Sequence, residues 1–548
     1  MNKYTQVIHF YKRIFFILLA VNILLYLLFG MYLEEYESFF SAFLHGTYTH
    51  PWGRELDLSS HLFVLYIYEL IASVFKDYNV YGLILVIYNF LGFIFAGLVL
   101  YRILKINARQ DSLFIFLVLY LVLIIDCFIN LNSTRQTFIF MVSMASFIES
   151  RRAENKPVSL VLCGWISLYY LLVSFIRFES VWLFCWIYLA VVVLHKKFNR
   201  LVLIPLIISG SILFIYYNVL IPGIHEPKQA YIYKEREFFD RQNINYTHLT
   251  PEQKMNVDAI ILHGLSDEEF FTLSFYDSIS KYNSNSNIFS LSDGVKLDAF
   301  RSTFHQSRED FQKTLPYFLF FLVTAFYLIW YLKGRKRKAI IHISIVVAIP
   351  LALCLYTIVP VRFLIPYFAV FSVLNIVWAF RNVAVNRGLI WVTCIFLACF
   401  IFKAQKQKES YLDREGEFKE NTSKLIALSA RDTSGKPVII NSFYHDGFFP
   451  VKPLGSLHRQ NAMVFNFYYF TAWDMNVKAW KNACNCNPLS LKEKTEYMIS
   501  NQNLFIIDQS SFDFMKKYMK DKYGLLIDKT DVRLFNDDLF VCRLKYAQ

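Results

Sequence analysis

The chain has 548 residues, of which 56% are hydrophobic and 18% aromatic. With a mean hydropathy of +0.36, these proportions exclude an ordinary soluble protein and make lipid part of the expected solvent. The formal charge of +13 would fit a nucleic-acid partner in a soluble protein; here basic cytoplasmic loops account for it, and no nucleic acid is expected.

In chain order, Lys3, Lys12 and Arg13 precede the first apolar run, Ile14–Leu33, and no small-residue cleavage site follows. This predicts an uncleaved first span with the N-terminus in the cytoplasm. LEEYESFF then brings Glu34, Glu35 and Glu37, followed by an aromatic loop containing His45, Gly46, His50 and Gly53. Asp57 is a good N-cap residue for a helix over Leu58–Phe75. Asp57, His61 and Glu69 share one face of that helix, opposite Leu, Val and Ile, so it is expected to lie in the membrane interface rather than cross it.

Further spans are expected at Val80–Leu100, Leu113–Phe128, Thr137–Ile148, Val158–Phe175, Val181–Leu194 and Leu201–Leu220. After a polar interval come Leu315–Leu332, Ala339–Val359, Phe363–Phe380 and Leu389–Phe402, which gives eleven with the first. The positive-inside rule supports this count. Basic residues such as Arg102, Lys105, Arg151, Lys196, Arg335 and Arg387 all fall on cytoplasmic loops, whereas a span at Leu58–Phe75 would put these loops outside.

The fold class is therefore mainly α: a polytopic membrane protein of about eleven transmembrane helices plus interfacial helices, with a C-terminal extracytoplasmic α/β domain. The membrane domain is placed at residues 1–403, including an outer loop 34–79 and a large outer loop 221–313 with a helix over Asp258–Ser280. Residues 404–548 form the α/β domain, with strands at 437–441 and 504–508, a helix at Phe512–Lys522 and a closing hairpin VRLFNDDLFVCRL. A multi-pass location in a bacterial inner (plasma) membrane is expected.

Most cysteines lie in apolar runs as small core residues, while Cys484 and Cys486 have Cys542 as a pairing candidate if the tail is outside. His45 and His50 with Glu35 are too few for a metal set. No site metal or cofactor is assigned, and a divalent cation remains compatible.

Ionisable residues at membrane depth are functional candidates by default. Here they gather at the outer mouth: Glu34 and Glu35 after span 1, Asp126 ending span 3, Arg135 before span 4, Arg177 and Glu179 between spans 5 and 6, and Arg362 at the start of span 10. Each also has a plainer reading. Asp126 can terminate a span, the arginines can reach lipid phosphates, Arg177 and Glu179 can pair locally, and Asp57 can simply cap its helix. Brought together, the same groups suit sugar transfer from a lipid phosphate. Arginines clamp the phosphate, the phosphate leaves readily, and a carboxylate takes the proton of the acceptor hydroxyl.

This order of features resembles the GT-C superfamily of integral membrane glycosyltransferases, the group of protein mannosyltransferases and aminoarabinose transferases. LEEYESFF resembles the acidic motif after span 1, DLSSHLFVLYIYELIASVF the interfacial helix, IRFES an Arg-x-Glu outer loop, and VRFLIPYF the late arginine motif. The chain departs from the pattern in carrying Glu-Glu where Asp-Glu is usual, and Leu-Ser-Ser-His in place of a Pro-rich helix start.

The resemblance implies a glycosyltransferase of the cell envelope, acting in polysaccharide biosynthesis on the extracytoplasmic face. The implied donor is a polyprenyl-phosphate-linked sugar and the acceptor a glycan, glycolipid or protein. Glu34 or Glu35 is the implied catalytic base, with Asp57, His61, Arg177, Glu179 and Arg362 binding substrate; the grouping at the outer mouth adds Asp126 and Arg135 to the expected substrate-binding set. Two rival readings stand beside it. One is an O-antigen-type polymerase or ligase using a lipid diphosphate. The other is a transporter or flippase, disfavoured by the absence of a repeat or a mid-span charge.

Overall fold

The structure is a computed structural model and describes residues 3–34, 70–71, 74–75, 78–108, 113–153, 159–176, 200–215, 249–263, 265, 267, 312–330, 336–356, 361–382, 387–431, 435–441, 446–449, 451–454, 462–464 and 490–547. Among the described residues, four helices are long and apolar enough to cross a membrane, at Lys12–Phe29, Val80–Lys105, Gln312–Trp330 and Arg387–Arg431. Large apolar side chains on their flanks, including Phe16, Leu27, Phe326 and Trp391, face outward. That pattern is stable only against lipid, and the chain is an integral membrane protein.

The bundle is built from α1 (Lys3–Phe29), α2 (Val80–Ala108), α3 (Leu113–Ile129), α4 (Ser133–Ala153), α5 (Leu160–Ile176) and α6 (Arg200–Ile215), and, beyond the large loop, from α8 (Gln312–Trp330), α9 (Lys336–Tyr356), α10 (Val361–Asn382) and α11 (Arg387–Arg431). Each expected span falls on one of these helices except Val181–Leu194, which lies outside the described residues. Most of the expected interfacial helix Leu58–Phe75 also lies outside them.

Helices α2 and α4 approach closely because Gly92 has no side chain; an added Cβ would overlap the Phe140 ring. Aromatic rings fill the remaining space. Phe93 stacks on Phe128, Phe138 meets Phe363 edge-on at 5.6 Å, and Tyr317 lies flat on Phe400 at 4.1 Å.

The large loop contributes α7 (Pro251–His263). A helix is expected over Asp258–Ser280; the described helix starts earlier, at Pro251, and covers the expected segment as far as His263, while residues 268–280 lie outside the described residues. Thr250 and Gln253 form a reciprocal cap (3.2 and 3.0 Å), with Pro251 at the first helical position. Leu265 N–H closes the other end on Ala259 O. The Thr-Pro-Glu-Gln start signal was in the sequence.

The C-terminal α/β unit contains β3 (Val438–Ile440), β4 (Ala462–Val464), α12 (Leu491–Asn501), β5 (Phe505–Asp508), α13 (Gln509–Tyr523), β6 (Ile527–Leu534) and β7 (Leu539–Tyr546). Its sheet runs β4-β3-β5-β7-β6, with the first three strands parallel and the last two antiparallel. Ser490 and Glu493 form a capping box on α12, Asp508 caps α13, and Gly524 ends α13 in the left-handed region.

The helix α7 docks on α13. The Tyr518 hydroxyl lies 2.9 Å from both Asn256 Oδ1 and Asp267 Oδ2, and Tyr523 donates to Asp267 at 2.6 Å. Cys542, the expected pairing candidate, is a free thiol buried in β7.

The boundary drawn at residues 403/404 falls inside α11, which runs unbroken for 45 residues. Past Phe402 its sequence turns polar, so hydropathy stops where the helix does not. Good helix formers and i,i+4 pairs such as Lys424–Glu420 (2.7 Å) carry it onward.

Candidate functional site: an acid–arginine cluster at the end of the bundle

Gly30, at φ +77°, ends α1 in the left-handed region, and the chain then extends through β1 (Tyr32–Leu33). At the same end of the bundle α3 runs out into β2 (Asn130–Leu131), and the two short strands pair in parallel. On its other side Leu33 N–H donates to Val451 O at 2.8 Å, so the C-terminal unit extends this ribbon. Gly82 permits the approach, since a Cβ there would stand 2.6 Å from Pro453 Cα.

Helix α4 starts immediately after β2. Asn132 is its cap: Oδ1 accepts from Thr134 N–H at 2.9 Å, while Nδ2 donates to Glu34 Oε2 at 2.6 Å. Arg135 occupies the first turn, where the helix dipole disfavours a cation. Two carboxylates offset this. One guanidinium nitrogen binds Asp126 Oδ2 from the last turn of α3, and the other binds Glu34 Oε1 from the end of β1. Side-chain exposure is 4% for Arg135 and 3% for Asp126, against 19% for Glu34. The pair is therefore closed off from solvent, with Glu34 at its open edge.

Lys403 of α11 completes the cluster. Its Nζ stands 3.7 Å from Asp126 Oδ1, donates to Lys313 O at 2.9 Å and lies over the Tyr317 ring. At 3.7 Å no direct hydrogen bond forms with Asp126, and Asp126 Oδ1 is a buried acceptor with no partner. One and two turns further along, Gln407 and Tyr411 hold Asn130 at 3.3 and 2.8 Å, and Tyr411 stacks on Tyr32.

Of the residues singled out in the sequence, Glu34, Asp126 and Arg135 meet here. Glu35, Asp57, His61, Arg177 and Glu179 lie outside the described residues. Arg362 is placed by its backbone alone, at the start of α10 beside Phe363, whose ring packs on Phe138 one turn along α4 from Arg135. Sequence reasoning missed Lys403, Asn132, Gln407 and Tyr411. For α11 the signal was the four-residue spacing of Lys403, Gln407 and Tyr411, polar or aromatic on one helical face.

The sequence matches no protein-family model and no curated protein. Among solved structures it is similar to ArnT from Cupriavidus metallidurans bound to undecaprenyl phosphate, at 10% identity and a TM-score of 0.37, over 96% of this chain and 97% of that one. The apo state of the same protein gives 9% identity and a TM-score of 0.36 with the same coverage. The likeness spans both chains end to end, and at these values it assigns neither a family nor an activity.

Proposed function

We propose that this protein is a membrane glycosyltransferase that moves a sugar from a polyprenyl-phosphate donor to a glycan, glycolipid or protein acceptor on the extracytoplasmic face. One observation carries the reading: Glu34, Asp126 and Arg135, from separate parts of the chain, converge beside Lys403 at one end of an apolar bundle. Carboxylates and cations at such a place are expensive unless they serve a site.

In the proposed reaction the acceptor hydroxyl oxygen bonds to the sugar's anomeric carbon as the bond to the phosphate oxygen breaks. The hydroxyl proton passes to a carboxylate, Glu34 or Glu35, and the polyprenyl phosphate leaves with the bonding electrons. Glu34 is fixed for this by Arg135 and Asn132, with Glu35 next to it in the chain. Arg177, Arg362 and Lys403 hold the phosphate by charge-assisted bonds, and Asp57, His61, Asp126, Arg135 and Glu179 shape the substrate pocket. The active end and the C-terminal unit lie outside the cytoplasm, in keeping with the basic loops at the opposite end.

The test is transfer by the purified protein from polyprenyl-phosphate sugars, with the corresponding lipid-diphosphate sugars in parallel. Transfer from the monophosphate, lost when Glu34 and Glu35 are both alanine in a folded protein, supports the proposal. Retained activity in that variant, or turnover of the diphosphate alone, overturns it; the latter outcome favours a polymerase or ligase.

A further inference from the structure

We infer that the C-terminal α/β unit holds a second binding site, for a saccharide recognised through its hydroxyl hydrogens, at the carboxyl ends of β3 and β5. The two strands are parallel neighbours. The chain leaves β3 toward β4 on one side, and leaves β5 through α13 toward β6 on the other. Exits that diverge in this way open a crevice at the carboxyl edge of a parallel sheet, where ligands bind in such folds.

The residues at that edge are rich in acceptors. Asn441, just past β3, is 2% exposed. Its N–H donates to Ile506 O at 2.8 Å and its Nδ2 to His263 O at 3.0 Å, which fixes the orientation of the amide. The remaining atom, Oδ1, is buried without a hydrogen-bond partner. A buried amide oxygen without a donor is destabilising, and a ligand donor placed there removes that cost.

Asp508 ends β5 half-buried, one oxygen capping Ser511 N–H at 2.8 Å. The Ser511 hydroxyl is 3.5 Å from His263 Nδ1, and the His263 ring lies flat on Phe514 at 4.2 Å. Burial holds the His263 pKa below 6.5, against smaller upward pulls from Asp508 and Asp258. The ring is therefore neutral at pH 7 and accepts through one nitrogen.

An amide oxygen, a carboxylate and a neutral imidazole beside an aromatic face suit a neutral polyol. The carboxylate disfavours an anion, and the set is too small to encage a hard cation. None of these residues belongs to the acid–arginine cluster, and the assignment does not depend on the transfer reaction.

The experiment uses the full-length protein in detergent, with mannotriose, maltotriose and chitotriose as probes in saturation-transfer NMR. At least one should bind the wild type, and bind Asn441→Leu about tenfold more weakly. Absence of binding by all three, or unchanged binding to folded Asn441→Leu, overturns the assignment. If Asn441→Leu does not fold, the wild type decides: the bound trisaccharide should slow carbethoxylation of His263, read by peptide mass spectrometry. An unchanged rate overturns the site, as does slowing by calcium alone. Saccharide binding without any glycosyl transfer would retain this site while sinking the enzyme proposal.

Discussion

Tyr411 donates its hydroxyl to Asn130 Oδ1 at 2.8 Å across 281 residues of sequence. Through this bond α11 is fastened to the ribbon that aims Glu34 and Arg135. The same helical face carries Lys403 to Asp126, so the floor of the cluster is made by a helix that also supports the C-terminal unit. Tyr411→Phe should lower transfer several-fold through loss of positioning. Its melting temperature should change by no more than a few degrees, because one hydrogen bond is worth about 1 kcal/mol.

Arg135→Met leaves the buried Asp126 carboxylate with only Lys403, at 3.7 Å, as a charge partner. Breaking such a pair costs about 3–5 kcal/mol, and thermal unfolding of the purified protein should register it. Combining Arg135→Met with Asp126→Asn and Glu34→Gln removes the uncompensated charge and should recover most of that stability without recovering transfer. Full stability in Arg135→Met alone would show that the cluster is solvated.

Lys403→Met tests the proposed phosphate contact. Loss of a charge-assisted bond is worth about 1.5–3 kcal/mol, or a fall in kcat/KM of roughly ten- to a hundredfold. Lys403→Arg should restore part of it. A fall in kcat/KM that is equal for Lys403→Met and Lys403→Arg would point to packing on Tyr317 rather than to charge.

Gly82→Ala places a methyl group against the backbone of Pro453, which cannot rotate away as a side chain would. The segment around Val451 should lift from β1, and the Leu33 amide, now bonded to Val451 O, should exchange with deuterium faster. Transfer should fall with it, while the α/β unit keeps its own fold.

The pH dependence follows from His263. Its folded pKa is depressed by burial, so the unfolded chain binds the proton more readily. The stabilisation is complete above the ordinary value of 6.5 and is lost as pH falls through the folded pKa. The melting temperature of the wild type should drop faster between pH 7 and 5 than that of His263→Gln; parallel curves would remove His263 as the cause.

Much of this architecture was legible in the sequence because its signals are local. Apolar runs marked the helices, and basic loops gave the expected count. Alternation and turn residues placed the strands β3, β5, β6 and β7. Glu34, Asp126 and Arg135 were found because ionisable groups at membrane depth stand out against apolar neighbours. Lys403 was missed because it sits where an apolar run becomes a polar helix, and composition there reads as the start of a tail. Asn132 looked like an ordinary cap, since its second bond, to Glu34, depends on the pairing of two-residue strands that carry no periodic signal of their own. The start of α7 was misplaced because the apolar pattern further on was followed in place of the reciprocal cap at Thr250.

The bond between Leu33 and Val451 also constrains biosynthesis. During translation the first helix is inserted long before its ribbon can be completed, since one partner belongs to β2 and the other emerges only in the last fifth of the chain. Glu34 and Arg135 must therefore wait, incompletely enclosed, for the ribosome to reach the far end of the message. Nascent chains arrested before Val451 should be inserted yet inactive, and they are the species on which a membrane chaperone or quality-control protease would act.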